Sequence, residues 1–131
     1  MTRRTVSTGK RGEARNAHSA GVVVSGNFLF TSGLTPRDAD GAVVGAGDMA
    51  AQIAQTLANV ADVLAAAGTD LSGVVKFTIY VTDIDAYMAA RANLPAAAEA
   101  MAAAPASTLV EVSRLAHPDI MVEIEAVAEV G

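Results

Sequence analysis

Apolar positions recur along this 131-residue chain in two periods, and the switches between them predict its elements. Val22, Val23 and Val24, the turn residues Ser25-Gly26-Asn27, and the run from Phe28 to Gly33 predict two strands joined by a tight hairpin. Residues 36–47, with Asp38, Asp40, Gly41 and Gly45, predict a loop. Asp48 is a good N-cap. Behind it Met49, Ile53, Leu57, Val60 and Leu64 form one stripe of a helix, which Gly68 stops. Over residues 74–82 the period becomes two, with Val75, Phe77, Ile79 and Val81 on one face and Lys76, Thr78 and Tyr80 on the other, which predicts a strand. Asp85 is placed to cap a second helix through Tyr87, Met88, Arg91, Leu94, Ala98 and Met101. Pro95 removes a hydrogen bond to the Arg91 carbonyl, so a kink or restart is expected there. Residues 108–115 and 120–130 are two further strand patterns, separated by the turn-forming Ala116-His117-Pro118-Asp119, and are expected to pair as an antiparallel hairpin.

The order strands, helix, strand, helix, strands fits an α+β fold, a mixed sheet with two helices packed on one face. The length suits a single domain spanning residues 1–131. The last strand carries Glu123, Glu125 and Glu129 opposite Val122, Ile124, Ala126 and Ala128. The helices are expected to cover the apolar face. The other face mixes carboxylates with Met121 and Val127, a surface suited to packing on another subunit.

Composition narrows the function. The chain is 52% hydrophobic and only 4% aromatic, so Ala, Val, Leu, Ile and Met fill the core. Net charge is -5, and five of the nine basic residues (Arg3, Arg4, Lys10, Arg11, Arg15) fall in the N-terminal stretch, which reads as a solvated, partly frayed arm. The acidic remainder argues against a nucleic-acid partner. No apolar run reaches the roughly 18 residues that span a bilayer, so no membrane partner is expected and the cytoplasm is the expected location.

With no Cys, thiol chemistry and disulfides are excluded, and two separate His residues without any Cys do not make a metal site, so neither a metal nor any other cofactor is expected. His117 reads as a solvated turn residue. Ser32 lacks a Gly-x-Ser-x-Gly elbow, and the loop from Gly41 to Gly47 lacks the Gly-Lys-Ser/Thr ending of a phosphate loop. Arg114, in a strand pattern, reads as a structural ion-pair partner.

Gly26-Asn27-Phe28-Leu29-Phe30-Thr31-Ser32-Gly33 with Thr35-Pro36, Ala67-Gly68 followed by Val74-Val75-Lys76, and Tyr80-Val81-Thr82-Asp83 form one set of motifs. Pro105-Ala106 leading to Val110-Glu111-Val112, and Glu123-Ile124-Glu125-Ala126, complete it. In residues and spacing, along nearly the whole chain, this set resembles the reactive intermediate deaminase (Rid) family. The resemblance implies a chorismate-mutase-like homotrimer whose sheets line a central barrel, with a small-molecule cleft between each pair of neighbours. It also implies hydrolysis of enamines or imines to ketones and ammonia.

In that family an Arg directly after the Pro-Ala pair clamps the substrate carboxylate, and the first Glu of the Glu-Ile-Glu run helps place the attacking water. A Tyr upstream of the first strands packs on the substrate, and an Asn on the second helix contributes to the cleft. Here Ser107 stands in the Arg position, and a neutral hydroxyl cannot match a guanidinium fork, so altered substrate preference is expected. An ungapped match puts Ser19 at the Tyr position and a one-residue gap puts His18 there; both stand. Arg91 falls at the Asn position, which suggests that the positive charge has moved across the cleft; an exposed helical Arg is the plainer reading. Glu123 matches the water-placing Glu, and a partly desolvated carboxylate suits proton transfer to a water. The candidate catalytic residues are therefore Glu123, Ser107 and Thr108, with His18, Ser19, Gly33, Arg91 and Leu109 as substrate contacts. A non-catalytic metabolite binder in the same cleft is the alternative, and a protein acting on a macromolecular partner is a third reading.

Overall fold

The computed structural model describes residues 2–10 and 18–131. Its first helix, α1 (Met49–Ala66), forms where the apolar stripe predicts it: Asp48 accepts from the Ala51 amide, and Gly68 leaves the helix at φ 83°. The stripe residues Met49, Ile53, Leu57, Val60 and Leu64 are all buried. They lie against the apolar faces of two strands, β4 (Val74–Val81) and β6 (Val122–Val130), through Phe77, Ile79, Val81, Val122, Ile124, Ala126 and Ala128.

Four strands make the main sheet: β3 (Asn27–Phe30), β6, β4 and β5 (Ala106–Glu111), in that spatial order. β6 runs antiparallel to both β3 and β4, whereas β4 and β5 run parallel, so the sheet is mixed. The expected hairpin between residues 108–115 and 120–130 does not form. β4 lies between those segments, hydrogen-bonding to β5 on one edge and β6 on the other. The connection from Val112 to Met121 must therefore cross the end of β4, where the Val112 amide donates to Val81 and the Thr82 amide to Met121. Arg114 lies in this connection rather than in a strand, and has no ion pair among the described residues. Its expected structural pairing is thus corrected.

The first hairpin is corrected as well. β2 (Gly21–Val24) pairs not with β3 but with β1 (Arg3–Val6), forming a separate two-stranded ribbon. Residues 3–6 are consequently not a frayed arm, and Arg3 is tied into the body of the protein. Lys10 is described and exposed, while Arg11 and Arg15 lie outside the described residues.

The second helical pattern is broken where Pro95 predicts. Helix α2 (Ile84–Arg91) ends, and α3 (Pro95–Ala100) restarts with the proline in its first turn, so the described residues hold three α-helices rather than two. The cap of α2 is Asp83, which accepts from the Ala86 amide, and not Asp85, which lies in the first turn. Both α2 and α3 pack on α1. All three helices therefore belong to one side, and the opposite face of the sheet is left bare.

Candidate functional site

Strand alternation puts Glu123, Glu125, Val127 and Glu129 on the bare face, since Val122, Ile124, Ala126 and Ala128 between them are buried under the helices. Lys76, Thr78 and Tyr80 of β4 share that face, with Tyr80 directly opposite Glu123 in register and Thr78 opposite Glu125. The Tyr80 hydroxyl donates to Glu125 Oε1 at 2.7 Å. That bond holds the Tyr80 phenol above its ordinary ionisation range, with desolvation and the negative charges of Glu125 and Glu123 acting in the same direction. Glu125 is thus engaged, whereas the Glu123 carboxylate has no hydrogen-bond or ion-pair partner among the described residues.

Glu123 is placed by the chain beside it. β3 pairs with β6 as far as Phe30 opposite Val127, and pairing resumes at Leu34 opposite Ile124. Three residues, Thr31, Ser32 and Gly33, therefore stand against two, a bulge at the point where β3 leaves the sheet. The Thr31 hydroxyl accepts from the Ala126 amide and the Thr31 amide donates to the Ala126 carbonyl, so the bulge is pinned from both sides. Its apex is Gly33, and the Glu123 side chain lies across it. A Cβ at position 33 would stand 2.8 Å from Cδ of Glu123 and closer still to Oε2. Only the absence of a side chain at 33 allows the carboxylate to occupy that place.

The remaining candidates fall elsewhere. Ser107 pairs with Phe77 and Leu109 with Ile79, so both point to the helix-covered side. Thr108, between them, faces the bare side and accepts a hydrogen bond from Lys76 Nζ. Ser107 and Glu123 are separated by β4 and by three residues along it, roughly 14 Å between Cα atoms from strand rise and spacing, and they lie on opposite faces. Arg91 ends α2, on the same side of the sheet as Ser107, one helical turn from the buried Tyr87. Burial raises the Tyr87 phenol, and the Arg91 charge partly offsets it. Ser19 is buried, and its hydroxyl donates to the Ala104 carbonyl at 2.7 Å. His18, next to it, is half-buried. One copy of the chain therefore brings Gly33 and Glu123 together on one face of the sheet and leaves Ser107, Leu109 and Arg91 on the other side, so the two sets are not joined.

A shallow hollow on the bare face lies between Phe30, Lys76, Thr78 and Glu125, and does not include Glu123. Sequence reading left the Tyr80–Glu125 and Lys76–Thr108 pairs unmarked. The period-two pattern already put Tyr80 on the carboxylate side, and the register supplied the rest.

A mixed four-stranded sheet under three helices, with a carboxylate of an inner strand laid over a glycine bulge, defines a class of small α+β proteins. The chain belongs to the Rid family: the family model described as Endoribonuclease L-PSP matches residues 8–130. A RutC family protein of Pyrococcus horikoshii is 39% identical over 106 residues, 81% of this chain and 82% of that protein. The 2-iminobutanoate/2-iminopropanoate deaminase of Escherichia coli is 39% identical over 104 residues, 79% of this chain and 80% of the deaminase. The solved structure of a Rid family protein of unknown function from Yersinia pestis superposes with a TM-score of 0.84 at 31% identity, covering 99% of this chain and 100% of that one.

Proposed function

We propose that this protein is a Rid-type hydrolase that acts on a small enamine or imine in clefts shared between copies of the chain, three of which close around a chorismate-mutase-like barrel. The single domain of residues 1–131 supplies two half-sites to that assembly. The observation that carries the reading is the separation of Glu123 from Ser107 within one copy. The Gly33–Glu123 wall and the Ser107–Leu109 wall face opposite ways, so a pocket using both takes one wall from each of two copies. Two further features favour assembly. Phe30 is 74% exposed on the bare face with Phe28 and Val110 also exposed, and β5 is an edge strand with no second partner among the described residues.

Hydrolysis of an imine requires a water held against the electrophilic carbon and a proton delivered to nitrogen, work that needs no cofactor. Glu123 takes a proton from the water as the carbon–oxygen bond forms. It passes that proton to the imine nitrogen to give a carbinolamine, then takes the hydroxyl proton and delivers it to the amino nitrogen, which leaves as ammonia while the carbonyl forms. Ser107 orients the substrate or water by hydrogen bonding, with Gly33, Leu109 and His18 as neighbouring contacts; Thr108, on the opposite face of β5 and bonded to Lys76, and Ser19, whose hydroxyl is bound to the Ala104 carbonyl, are turned away from that wall. Because Ser107 carries no charge, the substrate differs from the carboxylate-bearing imines named for the Escherichia coli relative, or it meets its positive charge at Arg91 instead.

The test generates 2-iminobutanoate in solution and follows ketoacid release by the protein and by Ser107→Arg. Turnover gained only by the variant supports a competent scaffold with a different natural substrate. No turnover in either favours the second reading, a non-catalytic binder of a small metabolite, which the uncharged Ser107 also fits. Light scattering tests the assembly: a trimer of 13.2 kDa chains is expected, and a monomer at working concentration sinks the shared pocket.

A further inference from the structure

The carbonyls of Ala103, Ala104 and Pro105, three in succession, all accept hydrogen bonds from the N-terminal part of the chain. Arg3 Nη2 donates to Ala103 at 3.0 Å, the Ser19 hydroxyl to Ala104 at 2.7 Å, and the Ser19 amide to Pro105 at 3.3 Å. The same Arg3 guanidinium donates through Nη1 to the carbonyls of Ser72 and Val74, at the start of β4. Its planar fork therefore spans the base of β4 and the segment entering β5. Arg3 and Ser19 flank the β1–β2 ribbon, Arg3 beginning β1 and Ser19 preceding β2.

The clamped segment is also conformationally unusual. Ala104 has φ 52°, the one positive value for a residue other than glycine among the described residues. A left-handed alanine is disfavoured and persists only where its surroundings over-determine it. β5 follows at once, and as an edge strand it is held by a ladder on one side only. Two residues beyond Pro105 comes Ser107.

We propose that Arg3 and Ser19 are positioning residues for the Ser107 wall of the cleft. By holding the carbonyls of residues 103–105 they fix the left-handed turn at Ala104, and so set the register and direction in which β5 presents Ser107 and Leu109. Neither touches the substrate in this role. This rests on the reading that Ser107 lines the site. The role also explains why a basic residue near the chain start is built into the protein while its formal partner, Glu129, stands at 3.9 Å: most of its donors go to carbonyls.

The experiment compares Ser19→Ala, Ser19→Thr and Arg3→Lys with the parent chain, each also in the Ser107→Arg background. Amide hydrogen exchange is followed over residues 103–109 and over α1 as an internal reference. Ser19→Ala and Arg3→Lys are expected to lose protection over residues 103–109 by about tenfold, the equivalent of one lost hydrogen bond, with α1 unchanged and with Ser19→Thr restoring the parent values. With Ser107→Arg present and 2-iminobutanoate as probe, KM is expected to rise about fivefold for the same two variants while kcat moves less than about twofold. Unchanged exchange over residues 103–109, or an equal loss there and in α1, overturns the positioning role. Absence of turnover in the Ser107→Arg parent counts against the hydrolase reading alone, and the exchange comparison still decides this proposal.

Discussion

The carboxylate of Glu123 lies in the space that a side chain at Gly33 would fill. The two residues are 90 positions apart in sequence and meet because a bulge turns residues 31–33 across the start of β6. This contact gives the most direct test of Glu123. In Gly33→Ala the new methyl must push the carboxylate aside, and because that is the free end of a flexible side chain the fold should lose less than about 1 kcal/mol. Any ligand affinity or turnover that depends on Glu123 should fall by about tenfold or more. Thermal unfolding and the 2-iminobutanoate assay of the variant, in the Ser107→Arg background, measure the two effects separately. Full turnover with a displaced Glu123 would remove that residue from the mechanism.

Gln52 is fully buried on α1 and holds two distant segments. Its Nε2 donates to the carbonyls of Val44 and Asp119, and its Oε1 accepts from the Met121 amide at 2.8 Å. Gln52→Leu keeps the volume but leaves those groups unpaired in the interior, and is expected to cost about 2–4 kcal/mol. The connection that leads into Glu123 loses its anchor at the same time. Urea unfolding checks the magnitude, and a loss below about 1 kcal/mol would mean that water replaces the amide.

The cap of α2 separates two neighbouring acids. Asp83 accepts from the Ala86 amide at 3.0 Å, while Asp85 sits in the first turn without that bond. Asp83→Ala should destabilise by about 1 kcal/mol and Asp85→Ala by about 0.5 kcal/mol or less. The reverse order in chemical denaturation would restore the assignment made from sequence.

Tyr87 is only 4% exposed, and its burial raises the phenol above the ordinary value of 10.0. The folded state then holds the phenolic proton more tightly than the unfolded chain does. This contribution is complete below the ordinary value, and it is lost as pH rises from there through the raised folded value, at about 1.4 kcal/mol for each pH unit in that window. Tyr87→Phe has no phenol to ionise, so its stability should fall less steeply above pH 10 than that of the parent. Parallel slopes in urea titrations across that range would mean that the Tyr87 phenol does not titrate there.

Much of the fold was legible along the chain. The stripe from Met49 to Leu64, the alternation through β4, the break at Pro95 and the carboxylate face of β6 are local patterns, because which side a residue faces depends on the period of its own element. Family motifs added Gly33 and Glu123 to the candidate site without showing that they touch. Strand partners were not legible. Ladder hydrogen bonds join backbone groups that every residue carries, so the two segments expected to form a hairpin gave no sign that β4 would stand between them. For the same reason the partners of Arg3 and Ser19 were invisible: they are carbonyls of residues 72, 74 and 103–105, which leave no mark in side-chain chemistry. The sequence by itself determined which residues could be buried and which acids would share a face. Tertiary structure alone decided that Ser107 and Glu123 face opposite ways, because that depends on register across three strands.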